Sequence, residues 1–454
     1  MKAKNFTAGS LADKILFFAI PIAASSVMQQ LYNAADTAVV GRFVGSDALA
    51  AVGSNSALAG LFVNLLVGLS IGSNVEIAQA IGSGARERIS RIVHTSVLFA
   101  VLSGVALMLV GIPIARPILT LMGTPENVLD QAVLYLRIYF LGMPFVVLYN
   151  FGAAILRAVG DTRRPMYCLA FSGIVNVLLN LLLVLVFHLG VAGVGIATVI
   201  SNIISSILVT ILLCREQGDI HLELRYLRLK ADVLRRILVI GGPSSLQSVA
   251  FSLSNVCIQS GINSFGSAAV AASSAVGNIE HINYYLVSSF NQAAMTMTGQ
   301  NYGAKRLDRC RRITRLCILE ALGAMAAWEC LSFLLKYQIL GIFTSDPLVL
   351  DFAVSRMWYT VLPQLMICGY ELLASSMRGM GHSMVPALIS VCGTVAFRLL
   401  WIFAVFPHFH TFGSLLIVYF FSWILTNTAM LIAYCKVVGQ VKKAFTHSEL
   451  TLCK

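Results

Sequence analysis

The sequence predicts an all-α membrane protein: twelve transmembrane helices in two six-helix lobes, related by a parallel repeat with its pseudo-two-fold axis along the membrane normal. Three observations lead there. Apolar runs of membrane-spanning length alternate with short polar gaps, basic residues crowd into every second gap, and landmark residues of the first half recur in register in the second.

Of the residues, 58% are hydrophobic and 11% charged, whereas a water-soluble chain carries roughly 25% charged residues. A mean hydropathy of +0.82 over the whole length leaves more apolar surface than one soluble core can hide, and a bilayer accepts the surplus. Spans are expected near Ile15–Val40, Leu49–Ile77, Ile92–Ile112, Ala132–Leu156, Met166–Phe187 and Val191–Leu213. The second set lies near Leu234–Ile262, Ala268–Thr298, Ile313–Leu335, Phe352–Met377, Val385–Phe406 and Leu415–Tyr434. Helices are required, because a lipid-exposed backbone must satisfy its own hydrogen bonds and the runs lack barrel-type alternation. The first run has no small-residue cleavage site after it and reads as a retained span.

Lys and Arg set the orientation. One set of loops holds Arg86, Arg88 and Arg91, then Arg157, Arg163 and Arg164, then the linker from Arg215 to Arg236. Lys305 to Arg315, Arg378 and the tail Lys436, Lys442 and Lys443 follow on the same side. The alternate loops offer Arg42, Arg116 and Lys336. Both termini are therefore expected in the cytoplasm of a multi-pass protein of the cell membrane. The net charge of +12 reads as membrane orientation; no basic face with interleaved aromatics suggests nucleic acid. Ten cysteines without a C-x-x-C pair behave as small apolar side chains.

The repeat sets the domain plan. Arg157, Gly160 and Pro165 recur with identical spacing as Arg378, Gly381 and Pro386, and Pro21 and Asn33 recur in the same way as Pro243 and Asn255. Expected domains are an N-terminal lobe over 1–215 (spans one to six), a cytoplasmic linker over 216–233, and a C-terminal lobe over 234–454. Six spans per half make the two copies parallel, as in many transporters that rock between inward-open and outward-open states.

An ionisable group at mid-bilayer costs roughly 2.5–3.5 kcal/mol on insertion scales, so each asks for a reason. Ser25, Gln29, Asn33 and Asp36 fall at helical spacing in the first span, with Tyr32 beside them and Pro21 as a hinge below. Ser172, Asn176 and Asn180 line a face of the fifth span, and Thr198, Asn202 and Ser205 a face of the sixth. Singly, such hydroxyls read as glue between helices; Asp36 with amide and hydroxyl oxygens reads as a site for a proton or a hard cation. The second half repeats the stripe as Ser248, Ser252, Asn255 and Gln259 without an acid. Glu280 beside His281, and Glu371, are candidate partners for the deep Arg398 or for a cationic substrate, whereas Glu320 and Glu329 fall nearer span ends and are expected to snorkel. No G-x-x-x-x-G-K-[ST] loop is present, and no soluble stretch is long enough to hold an enzyme. Ion-gradient-driven transport, with no organic cofactor, is the economical reading.

The runs Gln30-Leu31-Tyr32-Asn33-Ala34-Ala35-Asp36 with Val40-Gly41-Arg42, Arg157 to Pro165, Gly299-Gln300-Asn301-Tyr302-Gly303-Ala304 and Arg378-Gly379-Met380-Gly381 resemble signatures of the multidrug and toxic compound extrusion (MATE) transporters, over essentially the whole chain. The resemblance implies twelve helices in two lobes and export of organic cations or related compounds in exchange for H⁺ or Na⁺. It makes Asp36 the coupling group and adds Asn180 and Thr198 to the N-lobe cation site, with all three as metal ligands only if the ion is Na⁺. The family's usual aspartate four residues after Asn180 is replaced by Val184, which weakens a Na⁺ site. Tyr32, Asn33, Gln29, Asn176, Asn255, Glu280, Glu371 and Arg398 are the expected substrate-cavity residues. The partners expected are a small organic substrate and the lipid bilayer, with the chain as a monomer. A lipid-linked precursor flippase of the same wider superfamily is the alternative, disfavoured because deep acids outnumber a lone deep arginine. A non-transporting membrane protein would leave the repeat and Asp36 without a reason.

Overall fold

The computed structural model describes residues 6–452, with the side chains of residues 46, 56, 57 and 448–452 outside that description. Every regular element among the described residues is helical. In the first half these are α1 (Ala12–Phe43), α2 (Ser46–Gly82), α3 (Arg86–Leu121), α4 (Glu126–Leu141), α5 (Met143–Ala158), α6 (Arg163–Leu181) and α7 (Gly190–Cys214). The second half holds α8 (Ala231–Asn263), α9 (Ser267–Gly303), α10 (Leu307–Leu334), α11 (Lys336–Gly341), α12 (Pro347–Arg356) and α13 (Ile367–Gly379). It ends with α14 (Met384–Ser390), α15 (Phe397–Leu400), α16 (Phe412–Leu416) and α17 (Val418–Leu452).

Among the described residues nine rods are long and apolar enough to cross a bilayer, three of them (Arg163–Val186, Met384–Val405 and Phe412–His447) running through more than one of these elements, and α4 with α5 makes a tenth, bent by 46°. The remaining two expected spans are α9 and the interrupted rod from α12 to α13. The first is diluted by Asn278, Glu280, His281, Asn283 and Asn291; the second passes through a π-helical turn at Met357–Val361 and a 3-10 turn at Leu362–Met366. Pro363 inside that turn has no N–H to give the ladder, which is what breaks it. The chain is a multi-pass, all-helical membrane protein.

The repeat extends to backbone hydrogen bonding. Gly160 and Gly381 both hold φ near 88° (87° and 88°), a left-handed conformation that glycine adopts without a Cβ penalty. Gly160 N–H donates to Arg157 O at 2.9 Å and Asp161 N–H to Leu156 O at 3.0 Å; Gly381 N–H donates to Arg378 O at 2.8 Å and His382 N–H to Met377 O at 2.9 Å. Two helices at equivalent places in the two halves thus end in the same cap.

The described residues fall into two compact units. One holds residues 24–245 and the other 6–23 with 246–452. The boundaries cut α1 and α8 two residues past Pro21 and Pro243, so they lie inside helices and not in the 216–233 connection. In the first unit, Ile77, Ile92, Val93, Ile155 and Leu156 share a core with Val233 and Ile237 from the start of α8. In the second, Ile15, Phe18, Ala19 and Ile22 from the start of α1 pack with Val287, Phe290 and Ala294 of α9.

Candidate functional site

Asp36 sits in the C-terminal half of α1, half-buried. The side-chain amide of Asn180 donates to its carboxylate, and Thr198, whose hydroxyl donates to Val194 O at 3.0 Å, lies close beside it. Asn180 is fully buried; its Nδ2 also donates to Asn176 Oδ1 at 3.3 Å, and its own Oδ1 has no partner among the described residues. Three segments far apart in sequence therefore converge on one carboxylate. Just after Asn180 the helix widens into a π-helical turn, Leu182–Val186. Such turns are uncommon and cluster at functional sites.

Val184 lies in that turn, 4% exposed, in an apolar cluster with Val39, Val40, Tyr135, Val191 and Val194. The packing at this place is apolar and offers no second carboxylate. Tyr135 of α4 was not singled out from the sequence; its hydroxyl lies in hydrogen-bonding range of Thr198 and close to Asp36. An aromatic in an apolar helix gives no signal of such a role. Tyr32, one turn before Asp36, packs closely against Gly173, where an added Cβ would stand 1.8 Å from the ring. Its hydroxyl donates to Ala170 O at 3.1 Å. Gln29 and Asn33 are exposed, while Ser172 and Ser205 turn their hydroxyls onto their own helix backbone.

The second unit has a different chemistry. Asn255 is exposed and no acid stands near it on α8; Ile258, which takes the place of Asp36 in the repeat, is 1% exposed in an apolar cluster. The Arg356 guanidinium donates to both Glu280 oxygens, Nε at 3.0 Å and Nη2 at 2.9 Å, and Thr360 Oγ1 donates to Oε1 at 2.5 Å. Arg356 takes the place in the second half that Tyr135 holds in the first. Glu371 accepts from Asn291 at 3.4 Å and faces Arg378 at 3.9 Å.

Three expectations are corrected here. Arg398 takes neither Glu280 nor Glu371 as a hydrogen-bonded partner: Nε donates to Ser422 Oγ at 3.2 Å, and the guanidinium lies 4.2 Å over the Tyr419 ring, an attraction to the ring's negative face. Nor is it a lone deep arginine, since Arg356 and Arg378 are 7% and 6% exposed. Glu329 and Glu320 do not snorkel: Glu329 is 3% exposed, and both Glu320 oxygens are buried without a hydrogen-bond partner among the described residues. Distance along a helix to its end does not reveal which face a side chain takes. Glu76 is buried too, held by Arg88 at 2.7 Å and Arg236 at 3.5 Å.

Membrane rods repeated in two halves, with a carboxylate held by a buried amide inside one of them, define a class: polytopic helical transporters rather than enzymes. The chain belongs to the MatE family, whose model matches residues 21–182 and 243–402, one match per half. It is 31% identical over 381 residues to a "probable multidrug resistance protein", YoeA, of Bacillus subtilis, covering 82% of each chain. It is 24% identical over 406 residues to the similarly described NorM of Thermotoga maritima, covering 88% of this chain and 86% of that one. Among solved structures, an outward-facing multidrug resistance MATE family transporter of the MOP superfamily superposes with a TM-score of 0.89 at 21% identity, over 98% of this chain and 99% of that one.

Proposed function

We propose that this chain exports amphipathic organic compounds, cations favoured among them, across the cell membrane in exchange for protons, with Asp36 as the coupling carboxylate and both termini in the cytoplasm. The observation that carries the reading is the convergence of Asn180 and Thr198 on Asp36. A carboxylate held by an amide N–H, with a hydroxyl close by and no basic side chain paired to it among the described residues, has two cheap ways to lose its charge in a membrane. It takes a proton or it takes a cation. Val184 removes the second acid a Na⁺ site would use, and Asn180 turns its N–H rather than its carbonyl oxygen to Asp36, so the proton is favoured over Na⁺. Were Na⁺ the ion, Asp36, Asn180 and Thr198 would be its ligands.

The halves 1–215 and 234–454, joined by 216–233, act in this reading as the two lobes of an alternating-access cycle. Gln29, Tyr32, Asn33 and Asn176 of the first, and Asn255, Glu280, Glu371 and Arg398 of the second, are the groups offered to substrate. Because Glu280 and Glu371 are each matched by an arginine, Asp36 is the one of these three acids left to favour a cation. The names of the relatives support drug-like substrates for this chain.

Purified protein in liposomes, assayed with a fluorescent cationic dye under an imposed pH gradient or an imposed Na⁺ gradient, tests this. Export driven by the pH gradient and abolished in Asp36→Asn is expected. Full export by Asp36→Asn would remove the coupling role, and export driven by Na⁺ alone would replace the proton.

A further inference from the structure

The second unit holds a buried acid that the reading above leaves unused. Glu329 of α10 is 3% exposed, and Asn283 of α9 is fully buried. Asn283 Nδ2 donates to Glu329 Oε1 at 3.1 Å and to Gln364 Oε1 at 2.9 Å, which spends both of its amide hydrogens. Two atoms of the pair are then left over. Glu329 Oε2 and Asn283 Oδ1 are both buried and both without a hydrogen-bond partner among the described residues. While Glu329 is ionised both can only accept and no donor meets either, and an ionised carboxylate buried on one neutral hydrogen bond costs several kcal/mol.

We infer that Glu329 and Asn283 form a proton-binding site in the second unit, in which Glu329 is a neutral acid and donates Oε2–H to the Asn283 carbonyl oxygen. One proton meets both deficits. It removes the buried charge, and it supplies the single donor that the two orphaned acceptors share. Acid and amide then make a closed pair of hydrogen bonds, N–H to Oε1 and O–H to Oδ1.

The charged and titratable neighbours leave this arrangement in place. On α9, Glu280 is committed to Arg356, and His281 stacks on Tyr285 with ring centroids 6.2 Å apart. Arg356 of α12 directs Nε and Nη2 at Glu280, and no basic side chain pairs with Glu329 among the described residues. On α13, Cys368 faces Glu329 and donates its thiol to Met325. On α10 itself, Ser332 bonds the Glu329 backbone carbonyl at 2.9 Å and leaves the carboxyl alone. Gln364 links the pair to the backbone carbonyl of Glu280 at 3.2 Å, so loss of the proton would be felt at the Arg356 ion pair. The site does not rest on the export reading, because it binds its proton whether or not the chain moves a substrate.

Infrared difference spectra of the purified protein in lipid nanodiscs at neutral pH, wild type minus Glu329→Gln, test the assignment. The expected result is loss of one protonated carboxyl C=O stretch that shifts down in D₂O, with no loss of carboxylate bands. Glu329→Gln should also melt with the wild type, since a glutamine amide offers the same donor and acceptor to Asn283. Asn283→Leu should move the stretch to higher frequency as its hydrogen bond goes. A spectrum lacking carboxylate bands instead, or a Glu329→Gln protein that fails to fold, would overturn the proposal.

Discussion

Arg356 and Glu280 meet in a two-pronged ion pair, Nε to Oε1 at 3.0 Å and Nη2 to Oε2 at 2.9 Å, joining α12 to α9 in the second unit. Their side chains are 8% and 20% exposed. Charges withdrawn from water are tolerated together and costly apart.

Truncating one partner should therefore hurt more than neutralising both. Arg356→Ala leaves Glu280 buried without its counter-charge, held only by the Thr360 hydroxyl, and is expected to lower stability by about 3–5 kcal/mol. The double variant Arg356→Met with Glu280→Gln should recover most of that loss. Thermal unfolding in detergent followed by tryptophan fluorescence reads both. A double variant no more stable than Arg356→Ala would show that the pair holds the fold by more than mutual charge compensation.

The first unit depends on a close helix contact. An added Cβ on Gly72 of α2 would stand 2.2 Å from the Ile237 carbonyl oxygen of α8, and one on Gly241 would stand 2.6 Å from Leu69 O. In lipid no hydrophobic force drives helices together, so small residues that let backbones approach carry the association. Gly72→Ala is expected to cost about 1–3 kcal/mol, as overpacking does, and to lower the melting temperature measurably. Gly53→Ala, where nothing lies within 4 Å of the added Cβ, is the control expected to leave it in place.

The sequence reading succeeded where the signal was long or repeated. Apolar runs predicted the rods, and Arg157, Gly160, Arg378 and Gly381 announced two equivalent helix ends that share one cap. Asp36 stood out because a charge in an apolar run needs a reason, and Asn180 and Thr198 followed from their polar stripes and the family resemblance. Tyr135 and Arg356 were missed, although they occupy matching places in the two halves. An aromatic in a span looks like core, and Arg356, close to the start of its expected span, was not weighed at all. The π-helical turns at Leu182–Val186, Met357–Val361, Val391–Ala396 and Trp401–Val405 left no mark, since their mostly apolar residues do not differ in kind from those of the flanking α-helix.

Tyr32 is seated by the absence of a side chain at position 173. Its ring carbons would stand 1.8–2.3 Å from a Cβ there, so Gly173→Ala must push the ring off α6 and break the bond to Ala170 O. Dye export is expected to fall at least several-fold with folded yield maintained, and Tyr32→Phe, which keeps the ring seated and loses only the hydroxyl, should retain more activity. Transport in liposomes at matched protein content reads the pair. Equal export by Gly173→Ala and wild type would mean that the seating of Tyr32 is irrelevant to the cycle.

Val184 offers a direct test of why this chain should prefer the proton. Its side chain closes an apolar cluster beside the turn that carries Asn180. Val184→Asp would add a second carboxylate to the oxygens of Asp36 and Thr198 and to the unpartnered Oδ1 of Asn180, an oxygen set of the kind hard cations take. Without a cation the new acid sits in a dry pocket close to Asp36, and like charges there repel. The variant is therefore expected to be less stable than the wild type in K⁺ buffer. In Na⁺ it should regain stability by RT ln(1 + [Na⁺]/Kd), about 2.7 kcal/mol at a hundredfold excess over Kd. Melting curves of wild type and variant across a Na⁺ series, with K⁺ holding ionic strength constant, measure this. A wild type that already melts higher in Na⁺ than in K⁺ would show that Asp36, Asn180 and Thr198 suffice as a Na⁺ site, and the case for the proton at Asp36 would fall.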